Sequence, residues 1–430
     1  MTVTEHLATL CARSVLPADR ERAAMLLLDW TGCAVGALLE PLGRKAMGVE
    51  FGEGTCSRLG RAPGSDLAAV LHNGLLGNVL EMDDVDARAV LHPGPAVMPA
   101  VLAVAQSEGA GAEAVLDAIV RGYEATIRVG RAVGPSHYRF FHNTATCGVF
   151  GAAVAACDLI GSDPVAAMGL AGTQAAGLWQ TRHEADSDAK QVHAAHAASV
   201  GLTSARWAQA GLRGPRAILE GEQGFFAALA PEADAGDVLF GSEGWLIHET
   251  TIKPYPACRH AHAAIDAALE LRESWSGEEI IVGTYADALK FCDRAEPGTP
   301  LEAKFSLQHV VALTLLKGVP RLEDFTEAAI GDAEVAELRA RVRVEEDAGL
   351  SGSYPEHYGA RVNGVVVRDA YGDPARPMSR EAVVEKAFAL MRWGGMQVEG
   401  AQVLVDAALG LAEGGLADRG GMDAYFGAWV

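Results

Sequence analysis

Residues 141–200 read FHNTATCGVFGAAVAACDLIGSDPVAAMGLAGTQAAGLWQTRHEADSDAKQVHAAHAASV. The apolar positions are almost all Ala, Gly, Val or Cys, so helices built from them can lie backbone against backbone. The spacing predicts small-residue helices over 148–160, 163–180 and 197–210, the last closed by Gly211. The polar positions concentrate His142, Lys190, His193 and His196. Lys190 and His193 are three apart and share a helical face, with Asp186, Ser187 and Asp188 at the helix start. A lysine in so Ala-rich a setting is costly unless paired or used. A packed helical floor with cations rising from it is the framework of an anion-binding active site.

Upstream the pattern is helical too. Residues 3–14 and 20–38 have helical spacing, 51–64 is a Gly-rich extended excursion and turn, and Ser65 caps a helix over 66–81. That helix runs into Glu81, Asp83, Asp84 and Asp86, where carboxylates at a C-terminus oppose the macrodipole and so point to a use. His92 follows in a turn set by Pro93 and Pro95, which open a helix over 96–106. Carboxylates and an imidazole held this way suit acid/base work; the plainer reading is a solvated helix end. A divalent metal on Glu81, Asp83, Asp84 and His92 is disfavoured, because the spacing matches no standard ligand pattern. Helix 114–132 carries Arg121, Tyr123 and Arg128 as a solvated face or as inter-helix pairs. His142 with Thr144 and Thr146 stands at a helix start, where amides and hydroxyls bind carboxylates or simply cap.

Downstream, strand signals appear. Residues 279–285 and 340–344 alternate, and 359–367 carries an Asn363-Gly364 hairpin signal, with helices over 262–274, 307–317 and 335–339 among them. Helical spacing returns over 379–391 and 398–411, before a Gly-rich, frayed stretch at 412–423. The expected architecture is mainly α. A discontinuous all-helical domain, 1–250 and 379–430, receives an inserted α+β lid domain at 251–378. Within the insert, Lys253, Tyr255 and His262 lie on the proline-stiffened stretch KPYPACRHAH, and His309 follows the helix-capping Ser306. Cys258 has no accompanying oxyanion motif and is not read as a nucleophile.

Composition bounds the rest. With 56 acidic against 35 basic residues the chain carries −21, which argues against nucleic-acid and anionic-membrane partners. A local cationic pocket can still take an acidic substrate, since distant charge is screened. Seven scattered cysteines without a CxxC pair suit free thiols in a reducing compartment. The N-terminus has no signal-peptide pattern, and no uninterrupted apolar run reaches about 18 residues, so a cytoplasmic, soluble protein is expected. No GxGxxG, P-loop or GxSxG supports a nucleotide, flavin or serine-hydrolase reading.

In order along the chain, HNTATCGVFGAAVAA, GLAGTQAAGLW, DAKQVHAAHAASVG, LEGEQGF, KPYPACRHAHAAIDAAL, KFSLQH and GDPARPMSREAVVEKAFAL resemble the MmgE/PrpD family. The resemblance covers residues 5–410. Known members include 2-methylcitrate dehydratase, cis-aconitate decarboxylase and iminodisuccinate epimerase. The resemblance implies a homodimer and cofactor-free, metal-free chemistry on small polycarboxylates. By position, the family's pocket falls on Glu81 (an aspartate in decarboxylases), Asp83, Asp84, His92, His142, Lys190 and His262. Two positions depart from the pattern: His309 replaces an expected tyrosine and Val85 an expected threonine. These departures, with a following loop one residue longer, count against a plain cis-aconitate decarboxylase. The 430-residue length fits the epimerase-like branches better than the longer dehydratases.

The candidate catalytic residues are therefore His92, His142, Lys190, His262, His309, Glu81 and Asp83, with Asp84, Thr146, His193, Lys253 and Tyr255 as substrate contacts. The expected chemistry is a lyase, dehydratase or decarboxylase, moving a proton next to a substrate carboxylate. In this reading His309 is a cation or second acid. An epimerase of an imino- or amino-dicarboxylate is the rival, and a non-catalytic polycarboxylate-binding protein a third reading.

Overall fold

The computed structural model describes residues 1–184, 187–240, 243–413 and 419–429. The chain divides into two compact units, Met1–Thr250 with Ser379–Val430, and Thr251–Met378.

The first unit is built around helix Asn143–Ile160, which packs on helices Pro93–Glu108, Ala112–Ala132 and Ala189–Gln209. Its small residues explain the closeness. A Cβ on Gly201 would fall 2.3 Å from the Ala152 Cβ, and one on Gly151 would meet the Gly122 carbonyl oxygen at 2.3 Å. Helix Pro17–Gly36 packs on helix Arg380–Trp393, so the two ends of the chain complete one core. The 51–64 excursion is a two-stranded antiparallel ribbon, β1 (Cys56–Arg58) and β2 (Arg61–Gly64). Pro17–Leu39 and Asn143–Ile160 are long and apolar enough to cross a membrane, yet most of each is buried inside the protein. Arg128 and Tyr123 are buried as well, so they form no solvated face; Arg128 pairs with Glu124 at 2.7 Å.

The second unit carries a four-stranded mixed sheet in the order β4-β3-β5-β6. Strand β3 (Ile280–Thr284) pairs parallel with β4 (Val342–Glu346), and helices Leu307–Lys317 and Ala333–Arg339 lie in the crossover that parallel pairing requires. Strands β5 (Ala360–Val362) and β6 (Val365–Val367) form the hairpin, with Asn363 at φ 49° in the left-handed region its turn needs. Helices Leu307–Lys317 and His262–Leu271 cover the sheet's apolar residues.

The expected fraying at 412–423 is only partly testable, since 414–418 lie outside the described residues; Arg419–Gly427 is helical. Asp186 of the expected helix start also lies outside them, and helix Ala189–Gln209 follows Asp188. None of the seven cysteines is in a disulfide among the described residues, and all are buried.

Candidate active site

Helix Asp66–Leu76 ends before the acidic cluster, so the carboxylates do not sit on a helix terminus and the macrodipole argument is corrected. They lie instead in an irregular loop pinned by reciprocal backbone bonds between Asp86 and Leu91, at 2.9 and 3.3 Å. Within it Glu81 takes φ 60°, a left-handed conformation that costs a non-glycine residue about 1–2 kcal/mol. Its buried carboxylate is ion-paired with Lys190.

Asp83 is fully buried. Its Oδ2 accepts from the Asn78 amide at 2.8 Å and lies 2.7 Å from His92 Nδ1. The Asp84 carbonyl faces the same ring nitrogen at 2.9 Å. Two oxygen acceptors place a proton on Nδ1, so Nε2 is the ring nitrogen left to act as a base. The His92 amide donates to Thr144 Oγ1 at 3.0 Å, which fastens the turn to helix Asn143–Ile160. Pro93 then opens the next helix, where its missing N–H costs nothing.

Asp84 points inward. Its Oδ1 accepts from the Gly94 amide at 3.1 Å, and a Cβ at position 94 would lie 2.4 Å from that oxygen. Burial pushes this carboxyl up to about 7, against the opposing pull of the nearby Tyr123 hydroxyl. Through Oδ1, Asp84 supports the loop from within.

His142 is the residue before helix Asn143–Ile160, and Thr144 and Thr146 lie inside that helix, so neither caps it. The buried His142 ring packs on the Trp179 indole at 4.4 Å, and its Nδ1 lies 3.4 Å from His193 Nδ1. Burial, then Lys190, His193 and His92, hold His142 well below the ordinary histidine value. Burial, His196 and Lys190 push His193 down to about 4. Both rings are therefore neutral near pH 7, and Lys190 supplies the positive charge that was also expected of them. Thr146 faces a third imidazole. Its buried hydroxyl lies 2.7 Å from His137 Nε2, while His137 Nδ1 faces the Leu229 carbonyl at 2.8 Å.

The second unit holds the other four candidates. Lys253 is buried. Tyr255 donates its hydroxyl to Asp266 at 2.6 Å. His262 is fully buried with Nε2 3.0 Å from the Ala257 carbonyl. His309 is enclosed, with Nε2 3.4 Å from the Asp324 carbonyl and Nδ1 3.4 Å from Arg339. Burial drives it down to about 4, so it is neutral near pH 7. Among the described residues, no three His, Cys, Asp or Glu side chains converge as metal ligands.

Residues 2–236 match the MmgE/PrpD N-terminal domain and residues 255–409 the MmgE/PrpD C-terminal domain. The chain belongs to the MmgE/PrpD family. It is similar to a cis-aconitate decarboxylase-like protein of Aspergillus oryzae, 30% identical over 288 residues that span 61% of this chain and 59% of that protein. It is also similar to cis-aconitate decarboxylase of Homo sapiens, 26% identical over 356 residues, 76% of this chain and 73% of the other. A shorter match, 28% over 109 residues, is to 2-methylcitrate dehydratase of Cupriavidus necator and spans 23% of this chain and 22% of that one.

In this MmgE/PrpD chain the sequence reading passed over three groups that shape the first unit's cluster. Trp179 backs His142. His137 occupies Thr146. Asp29 and Lys386 form a buried ion pair at 2.6 Å, with Lys386 donating to the Met82 carbonyl. A charged residue in the otherwise apolar stretch LLLDWTG was the available signal for Asp29.

Proposed function

We propose that this protein is a lyase, a dehydratase or decarboxylase that moves a proton on the carbon next to a carboxylate of a small di- or tricarboxylate. The observation that carries the reading is the 2.7 Å contact between Asp83 and His92 Nδ1, which leaves Nε2 as an oriented base. Lys190, resting on Glu81, is the cation a substrate carboxylate would meet on displacing that side chain. In a dehydration, His92 Nε2 takes the C–H proton and the electron pair forms the C=C bond. The C–O bond breaks as the C=C bond forms, and the hydroxyl leaves as water with the returned proton. In a decarboxylation, the C–C bond breaks, CO₂ departs and the carbon takes up a proton. Lys190 lowers either barrier by facing the charge that builds on the retained carboxylate. Base and cation are side chains of this chain, so the scheme calls for no cofactor.

The names of the relatives favour a lyase, among both decarboxylases and dehydratases. An epimerase is the second reading, favoured by two imidazole centres, His92 and the His142–His193 pair, that could serve opposed faces of one carbon. A binding protein would need Lys190 but not the Asp83–His92 contact.

Proton NMR in D₂O with 2-methylcitrate, citrate, cis-aconitate, iminodisuccinate and related amino-dicarboxylates tests the proposal. Vinyl signals appearing or shifting with loss of water or CO₂ are expected. Deuterium exchange beside a carboxylate without net loss would transfer the weight to the epimerase. Binding with no change in any compound would sink both.

A further inference from the structure

We propose that Lys386, anchored by Asp29, is a positioning residue that clamps the 81–83 loop in its working conformation; the proposal rests on the lyase reading above. Lys386 comes from helix Arg380–Trp393, the part of the chain that re-enters the first unit after the second. That helix meets helix Pro17–Gly36 almost backbone to backbone, since a Cβ on Gly32 would fall 2.8 Å from the Ala387 Cα. The lysine is thereby aimed inward with its side chain 5% exposed. Its ammonium lies 2.6 Å from Asp29 Oδ1 and donates to the Met82 carbonyl at 2.7 Å.

The Met82 carbonyl is where a clamp has most leverage. Glu81, on one side, carries the pair with Lys190; Asp83, on the other, carries the contact that orients His92. Glu81 sits at φ 60°, so the loop is strained as built. Rotating the peptide that follows Met82 would change the backbone at Asp83 and swing its carboxylate off His92. The same rotation would pull the Met82 carbonyl away from a buried ammonium, and a charge-assisted bond lost where water does not reach is costly. Burial disfavours the ammonium, but Asp29, with Cys33 and Asp83, more than offsets it and holds Lys386 above the ordinary lysine value. The clamp is therefore charged throughout the neutral range.

A buried ion pair can also be a purely structural tie, and the test must separate the two. The double variant Lys386→Met/Asp29→Asn removes both charges together and leaves no lone buried ion, so it is expected to fold. In it, kcat is expected to fall roughly 10²-fold with little change in KM, the loss typical of a misplaced catalytic group. Long-range ¹H–¹⁵N NMR of His92 should show a single Nδ1–H tautomer in the wild type and a mixture in the variant. Lys386→Arg, which keeps the charge, should restore part of both. A folded double variant that keeps the Nδ1–H tautomer and the wild-type kcat overturns the proposal.

The tautomer readout needs no substrate. A tautomer change in a protein without lyase activity would thus keep the clamp and remove the lyase reading. Should the double variant not fold, Asp29→Asn carries the test, because it removes the anchor that holds the Lys386 ammonium against the Met82 carbonyl. A mixture of His92 tautomers is then expected, and a single Nδ1–H tautomer persisting without the anchor overturns the proposal.

Discussion

Asp84 and His309 titrate in opposite senses across one pH window. Asp84 is raised from 3.8 to about 7, so the stability tied to its protonated form is complete below the unfolded value and is lost as pH rises through the folded one. His309 is lowered from 6.5 to about 4, so its contribution is complete above 6.5 and is lost as pH falls toward 4. Each shift corresponds to a few kcal/mol, at roughly 1.4 kcal/mol per unit. Asp84→Asn keeps the acceptor for the Gly94 amide and removes one titration; relative to wild type it should gain stability as pH rises from acid to neutral. His309→Gln should instead flatten the acid limb. Melting temperature against pH for the three proteins checks both, and parallel curves would show that neither group is shifted. Lys190 is a third residue-scale case. Lys190→Met should lower kcat/KM by roughly 10²–10³-fold, the usual loss for a charge-stabilising group, while circular dichroism stays that of the wild type. Unchanged turnover would take Lys190 out of the site.

At the scale of elements, close packing of small-residue helices is what places Lys190 and His193. Helix Ala189–Gln209 lies against helix Asn143–Ile160 at Gly201, where a Cβ would come within 2.6 Å of the Ala152 carbonyl carbon. Backbone cannot yield as a flexible side-chain end can. Gly201→Ala should cost about 1–3 kcal/mol, seen as a lower melting temperature, and should reduce kcat as the helix bearing Lys190 shifts. A variant as stable as wild type would show that this contact has slack. The same packing explains what the sequence made legible. Helical spacing after the capping Ser306 located helix Leu307–Lys317, alternation located strand β3, and the Asn-Gly signal located the β5–β6 hairpin. The sequence could not say where small-residue runs stop being helical. The run expected to continue to 180 ends at Gly172; beyond it Gly177 takes φ 139° and has no room for a side chain, since a Cβ there would meet Ala145 at 2.5 Å. The acidic loop differs for a related reason: the helix stops at Gly77-Asn78, a turn signal outweighed by the apolar spacing around it, and Gly77 packs so closely on Trp30 that a Cβ would lie 2.2 Å from the indole nitrogen. Among site residues, the Lys190–Glu81 and His92–Asp83 pairings join residues whose types were informative. Whether Thr146 and Tyr255 faced a substrate or the interior depended on His137 and Asp266, partners that local sequence could not supply.

For the whole molecule, the chain's −21 opposes the approach of any polycarboxylate, while Lys190 attracts it at short range. Ionic strength separates the two by distance. At 0.01 M salt the screening length is about 30 Å, so an incoming anion feels most of the distributed negative charge. At 0.15 M it is about 8 Å, and the distant repulsion is removed while contact with the ammonium persists. At 1 M it is about 3 Å, and the local attraction is weakened in turn. For a tricarboxylate substrate, kcat/KM should therefore rise severalfold from low to physiological salt and decline again toward 1 M, with kcat nearly constant. The rise should be smaller for a dicarboxylate, because the repulsion scales with substrate charge. A monotonic fall from the lowest salt would mean that the site's own cations govern approach even at long range. In that case the negative surface would have no part in selecting the substrate.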